Sequence, residues 1–183
     1  MHFMRLIWRV TSVLNMGESM DNTELTPNTV TLGERNYQAA LDLVIAEAKF
    51  ELLIFDQGFE RGNYTSLKRF ELLFEFLSKN STSKLMIILQ NTEYFIQHCP
   101  RLFELLKLYS HKMTVLETND NAKVAKDCFI IADKTHYVRR FHIDQARFKY
   151  ALDDVDECAN LKIRFDELME ETADAVSVSR LGL

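Results

Sequence analysis

Residues 126–141 read KDCFIIADKTHYVRRF. After two charged residues comes a continuous apolar run, CFIIA. Asp133 and Lys134 interrupt it, and THYVRRFH then alternates apolar with polar or charged side chains. Apolar run, tight ADKT turn and alternating run predict a β-hairpin whose first strand is covered on both faces. Reading upstream, MTVLET (113–118), KLMIILQN (84–91) and ELLIFD (51–56) are further strand-like segments. Helical spacing separates them: Tyr37, Leu41, Val44, Ile45 and Ala48 in one stretch, then Leu67, Phe70, Leu73, Phe74 and Leu77 behind a Thr65 or Ser66 cap. A third helical stretch runs from Glu93 to Tyr109, with Pro100 kinking or breaking it. Downstream, Phe148, Ala151, Leu152, Val155, Leu161, Ile163, Phe165, Leu168 and Met169 predict a final third that is helical and acidic. Strand, helix, strand, helix, strand, hairpin, helix is an α/β pattern: a layered mixed β-sheet flanked by helices.

The rest of the chain sets bounds. At 183 residues and 47% hydrophobic content it buries one core and is too short for two ordinary domains. Polar residues around the segment 21–31, DNTELTPNTVT, make residues 1–31 an extension or linker; residues 32–175 form the domain and 176–183 a loosely held tail. Met16 and Met20 are alternative starts. A net charge of −5 argues against a general electrostatic DNA binder. Cys99, Cys128 and Cys158 are widely spaced and odd in number, which fits a reducing, cytoplasmic setting and supports neither a disulfide framework nor a zinc site. No apolar run reaches the roughly 20 residues that span a bilayer, so integral membrane association is not expected. Nothing calls for a metal or a cofactor: QGFERG (57–62) lacks a phosphate-loop fingerprint, and the adjacent His98 and Cys99 point in different directions from a helix.

The hairpin resembles the core of the phospholipase D superfamily, whose motif H-x-K-x4-D opens a strand and closes on an Asp before the chain turns back. With Asp133 on the family's Asp, Lys126 stands where the nucleophilic His belongs and Cys128 where the phosphate-binding Lys belongs. ELLIFDQGF and KLMIILQN resemble the family's first two strands, so the likeness covers residues 34 to 175 or so. It implies a phospholipase D-like half that has lost phosphodiesterase chemistry and acts as a binding or assembly module. The family's chemistry needs an imidazole to attack phosphorus and a second one to protonate the leaving oxygen. Lys126 and Cys128 supply neither. With a single motif region, the resemblance also implies a homodimer. A further similarity, to an uncharacterised proteobacterial family whose members are sometimes joined to acetyltransferase-like domains, implies at most an acetyltransferase-like partner.

Two other functions stay open. Arg139, Arg140 and His142 lie in a dense basic region interleaved with Tyr137, Phe141, Phe148 and Tyr150, a combination suited to phosphate contacts and base stacking in nucleic acid or another anionic ligand. On a strand, Arg140 and His142 share one face, while Arg139 takes the other and is placed to pair with the acidic C-terminal helix. The bland alternative is a charged edge strand with its aromatics in the core. An enzyme of changed mechanism would instead need Lys126, Cys128 or His142 to converge in one pocket. Asp56, Gln57 and Glu60, at and beyond the end of ELLIFD, are placed to line a cleft, because open α/β sheets bind ligands beyond the carboxyl ends of their strands.

Overall fold

A computed structural model describes residues 25–176. The expectations for residues 1–24 and 177–183, including the alternative starts, lie outside the described residues. In chain order the elements are β1 (Val30–Leu32), α1 (Glu34–Glu47), β2 (Glu51–Asp56), α2 (Leu67–Lys79), β3 (Lys84–Leu89), α3 (Glu93–His98) and α4 (Pro100–Leu108). There follow β4 (Met113–Thr118), a 3-10 turn (Asp120–Val124), β5 (Cys128–Ala132), β6 (His136–His142), β7 (Gln145–Ala151), α5 (Val155–Glu170) and β8 (Thr172–Ala175). The strands form one sheet in the order β1-β7-β6-β5-β2-β3-β4-β8. Strands β2, β3 and β4 run parallel through helical crossovers, and every other neighbouring pair is antiparallel.

Alternation along the central strands divides the interior in two. Leu52, Ile54, Leu85, Ile87 and Ile130 pack under α1, α2 and α4, whereas Leu53, Phe55, Ile88, Phe129 and Ile131 pack under α5. Burial on both faces is why these strands read as continuous apolar runs. Ser66 Oγ accepts a hydrogen bond from Arg69 N at 3.2 Å and so caps α2, one of the two caps expected. Pro100 occupies the first turn of α4, where its missing N–H costs nothing, so the long helical stretch divides there.

Three expectations need correction. Gln145–Ala151 is a strand, not the start of the final helix; Phe148 and Tyr150 face the α1 layer, and α5 begins only at Val155, behind Asp154, whose Oδ1 accepts from Glu157 N at 3.1 Å. Val30–Leu32 pairs with β7, so folded structure begins inside the stretch read as a lead-in. After α5 the chain adds an edge strand, β8, beside β4.

The ADKT turn closes the β5–β6 hairpin through Thr135 N to Ala132 O at 3.1 Å. Asp133 and Lys134 both take left-handed φ values, 52° and 62°, the geometry that matches strand twist in a two-residue turn. From this position Asp133 reaches back across the sheet: its carboxylate accepts the amides of Lys49, Phe50 and Glu51 at 2.7, 2.8 and 2.8 Å.

Candidate functional site

At the carboxyl ends of β2 and β3 the chain leaves the sheet through residues 57–66 and 90–92, while the 3-10 turn lies across the start of β5. Between them is an open cleft of about 570 Å³, lined by Gln57, Gln90, Asn91, Tyr94, His98, Lys123 and Lys126 together with Glu60 and Glu93. Its floor is built by polar side chains spent on backbone. Asp56 Oδ1 accepts the amides of Gly58 and Phe59 at 3.0 and 2.8 Å, which turns the chain out of β2. Gln90 Nε2 donates to the carbonyls of Ala122 and Ala125, and Gln57 Nε2 donates to Ala125, so two amides pin the 3-10 turn over the strand ends.

Electrostatics on the rim are mixed. Lys123 is engaged by Asp120 at 2.6 Å, and that hydrogen bond raises the lysine and lowers the aspartate. The His98 ring lies 4.6 Å from that of Tyr94. Lys126 is exposed on the rim, and among the described residues its ammonium has no ion-pair partner. Beneath the rim, burial pushes the Asp56 carboxyl up, opposed by the Phe59 and Gly58 amides, the Cys128 side chain and the Arg140 charge. Asp56 Oδ2 has no hydrogen-bond partner, so the Cys128 contact is one of proximity rather than bonding geometry.

A carboxyl raised above its ordinary value of 3.8 favours the folded state most when protonated. Its contribution is present below the unfolded value and is lost as pH rises through the folded one. Asp56→Asn keeps an acceptor for the Gly58 and Phe59 amides without the buried charge. It is expected to be more stable than wild type at neutral pH, with the gain vanishing below the ordinary carboxyl range. Denaturant titrations at pH 7 and at acid pH check this, and a gain that is largest in acid would contradict it.

The sequence candidates do not all meet here. Lys126 lines the cleft, whereas Asp56, expected there, is buried beneath its floor with Oδ1 spent on the Gly58 and Phe59 amides, and Asp133 lies at the other end of β5, roughly 20 Å from Lys126 at about 3.3 Å per residue. Cys128 is fully buried, and burial holds its thiol well above the usual range, followed by the charge of Asp56. Arg139 pairs with Asp127 and, as its face predicts, with Glu157 of α5. Arg140 and His142 do not present a joint cationic surface. Arg140 is 2% exposed and directed into the protein, and His142 Nδ1 accepts the Asp144 amide at 3.2 Å. The sequence reading placed Gln57 and Glu60 at a cleft but missed Gln90 on its floor and the bidentate Arg164–Asp127 contact at 3.1 and 2.6 Å. Neither has a local signature, since each pairing spans more than thirty residues.

Burial also lifts Cys99 to about 11 and Cys158 to about 12. An aromatic disulfide reagent is therefore expected to titrate none of the three cysteines in the native protein and all three in denaturant. Rapid native labelling at Cys128 would revive the reading of an enzyme with changed chemistry.

The family described as Domain of unknown function (DUF7931) matches residues 33–181. The chain belongs to the DUF7931 family. No curated protein sequence matches this DUF7931 chain. Its fold is similar to that of TrmBL2, an archaeal chromatin protein whose structure shows a novel mode of DNA binding, with a TM-score of 0.59 and 16% identity over 83% of this chain; the chain spans 55% of TrmBL2. It is also similar to Nuc from Salmonella typhimurium, a phospholipase D family member, at a TM-score of 0.56 and 11% identity, covering 80% of this chain and 97% of Nuc. NucT from Helicobacter pylori gives 0.52 and 14%, covering 79% and 96%. At such identities the likeness is one of fold: this DUF7931 domain has the α/β architecture of a phospholipase D-like half. Among its described residues no helix is long and apolar enough to cross a membrane, and no cluster of three or more His, Cys, Asp or Glu is arranged to hold a metal.

Proposed function

We propose that the chain is a non-catalytic phospholipase D-like binding module whose ligand, polar and carrying an anionic group, sits in the cleft beyond β2 and β3. One observation carries this. Where the family resemblance places a nucleophilic imidazole and a phosphate-binding lysine, this chain has Lys126 on the rim of the cleft and Cys128, whose thiol is buried away from it and held protonated. That leaves a flexible point charge able to hold an anion, without the imidazole that forms a covalent bond to phosphorus. The DNA binding described for TrmBL2 makes nucleic acid the first ligand class to try. Assembly as a homodimer is part of the same reading, since half of a phospholipase D-like unit leaves sheet surface for another copy to cover.

The test combines turnover and binding. Bis-p-nitrophenyl phosphate should not be hydrolysed above background, and turnover lost in Lys126→Ala would overturn the non-catalytic reading. In parallel, nucleoside monophosphates and single-stranded oligonucleotides are titrated against wild type and Lys126→Glu. The charge reversal is expected to weaken binding at least about tenfold, or about 1.4 kcal/mol. Equal affinity for both proteins, or no binding by either, would remove the cleft as the site.

A further inference from the structure

Helix α5 packs over β5 and β6, and beyond it the same face of β7 and β1 is open to solvent. Val30 and Leu32 on β1 are 51% and 66% exposed, and Phe141 on β6 is 36% exposed. Register puts two cations among them, because Val30 is opposite Lys149 and Leu32 opposite Arg147. The Arg147 guanidinium lies 5.6 Å from the Phe141 ring centre and the Lys149 ammonium 6.0 Å from that of Tyr137. Among the described residues neither cation has a carboxylate within ion-pair distance. The opposite side chains of these strands, Phe148 and Tyr150, are already buried under α1. The open face is thus an apolar patch edged by two cations that have no ion-pair partner among the described residues.

The outer side of α5 carries the complementary chemistry. Val155, Ala159 and Ile163 recur every fourth residue and are exposed, Val155 by 58% and Ile163 by 61%. Asp156, Glu167 and Glu170 flank them, exposed and without an ion-pair partner among the described residues. An apolar stripe edged with carboxylates on one surface answers an apolar patch edged with cations on another.

The geometry points to a second copy of this chain as the occupant: its α5 seats on the open β6–β7–β1 face, and the two-fold axis makes the reciprocal contact at the same time. Two helices then lie between two sheets, each contact occurring twice about the axis. This rests on the homodimer reading above and names its surface. A polyanion fits the face less well. Arg139 is neutralised by Asp127 and Glu157, and three large apolar side chains offer nothing to phosphates.

Sedimentation equilibrium reads the result. Wild type should run as a dimer of about 43 kDa, twice the 21.4 kDa chain. Leu32→Asp and Ile163→Asp, both at exposed positions, should each raise the dimer dissociation constant at least tenfold with an unchanged thermal melt. The Arg147→Glu/Lys149→Glu variant and the Glu167→Lys/Glu170→Lys variant should each be monomeric, and mixing them should restore a dimer, because both reciprocal contacts then regain opposite charges. A dimer indifferent to all four variants overturns this surface and leaves the homodimer reading standing. A wild-type monomer at tens of micromolar overturns both, whether the face is then covered by the chain's own residues 1–24 or takes up a single-stranded oligonucleotide in a salt-dependent way.

Discussion

Replacing Arg140 with Ala is expected to lower the free energy of unfolding by about 3–5 kcal/mol: three lost hydrogen bonds of a charged group at about 1.5–3 kcal/mol each, reduced because Glu34 is 36% exposed and can be solvated. The side chain is almost wholly enclosed, and two of its donors reach the β6–β7 turn while the third reaches α1. Nε donates to His142 O at 3.2 Å, Nη2 to Ile143 O at 2.7 Å and Nη1 to Glu34 Oε2 at 2.8 Å. The guanidinium also lies 5.0 Å from the Tyr37 ring centre. Glu34 in turn accepts the Gly62 amide at 3.1 Å, so one arginine ties the β6–β7 turn, the start of α1 and the loop leaving β2. Deleting it strands two carbonyls and a carboxylate at the edge of the core. Arg140→Lys should recover only part of the loss, because an ammonium cannot reach in the same three directions. Denaturant unfolding at pH 7 measures both variants, and a loss under about 1 kcal/mol for the alanine, the worth of an exposed pair, would sink the assignment.

The second large effect belongs to Asp133. Asp133→Ala removes the acceptor for three amides at the α1–β2 junction and leaves a β-carbon in the left-handed region at φ 52°. Hydrogen bonds to a charged group contribute about 1.5–3 kcal/mol each. Solvent access at Lys49 and Phe50 brings the expected total to about 2–4 kcal/mol. Asp133→Asn separates the two causes, since asparagine tolerates the left-handed turn and keeps one acceptor oxygen. It should lose about half as much. If both variants melt with wild type, Asp133 is not a clamp on this junction.

How far the sequence reaches can be judged from particular segments. Central strands were legible because burial on both faces leaves an unbroken apolar run, and α2 because Ser66 and a four-residue apolar rhythm mark its start and face. QARFKYA was misread because Phe148, Ala151, Leu152 and Val155 also fit a helical spacing, and over seven residues the two periods are hard to tell apart. The edge strands β1 and β8 carry no local signal; with three and four residues, they exist because β7 and β4 offer unpaired backbone. The general rule for open sheets pointed to the end of β2, where Gln57 and Glu60 line the cleft and Asp56 lies buried beneath it. Alternation assigned Arg140 and Arg139 to opposite faces, but it could not show that α1 roofs one of them. A buried arginine and an exposed one look identical until the partner carboxylate, Glu34, is known to lie across the sheet.

The strand order has a consequence for synthesis on the ribosome. Val30 pairs with Lys149, β2 takes its second neighbour only when β5 has been made, and β4 waits for β8. The parallel core of β2, β3 and β4 therefore emerges with Leu53, Phe55 and Ile88 bare on the side that α5 will cover. Until the last third of the message is translated the nascent chain has no way to hide that surface, and such chains are the ones that depend on chaperones and aggregate when released early. A stop codon placed just before Val155 should yield a product recovered in the insoluble fraction rather than a smaller folded domain.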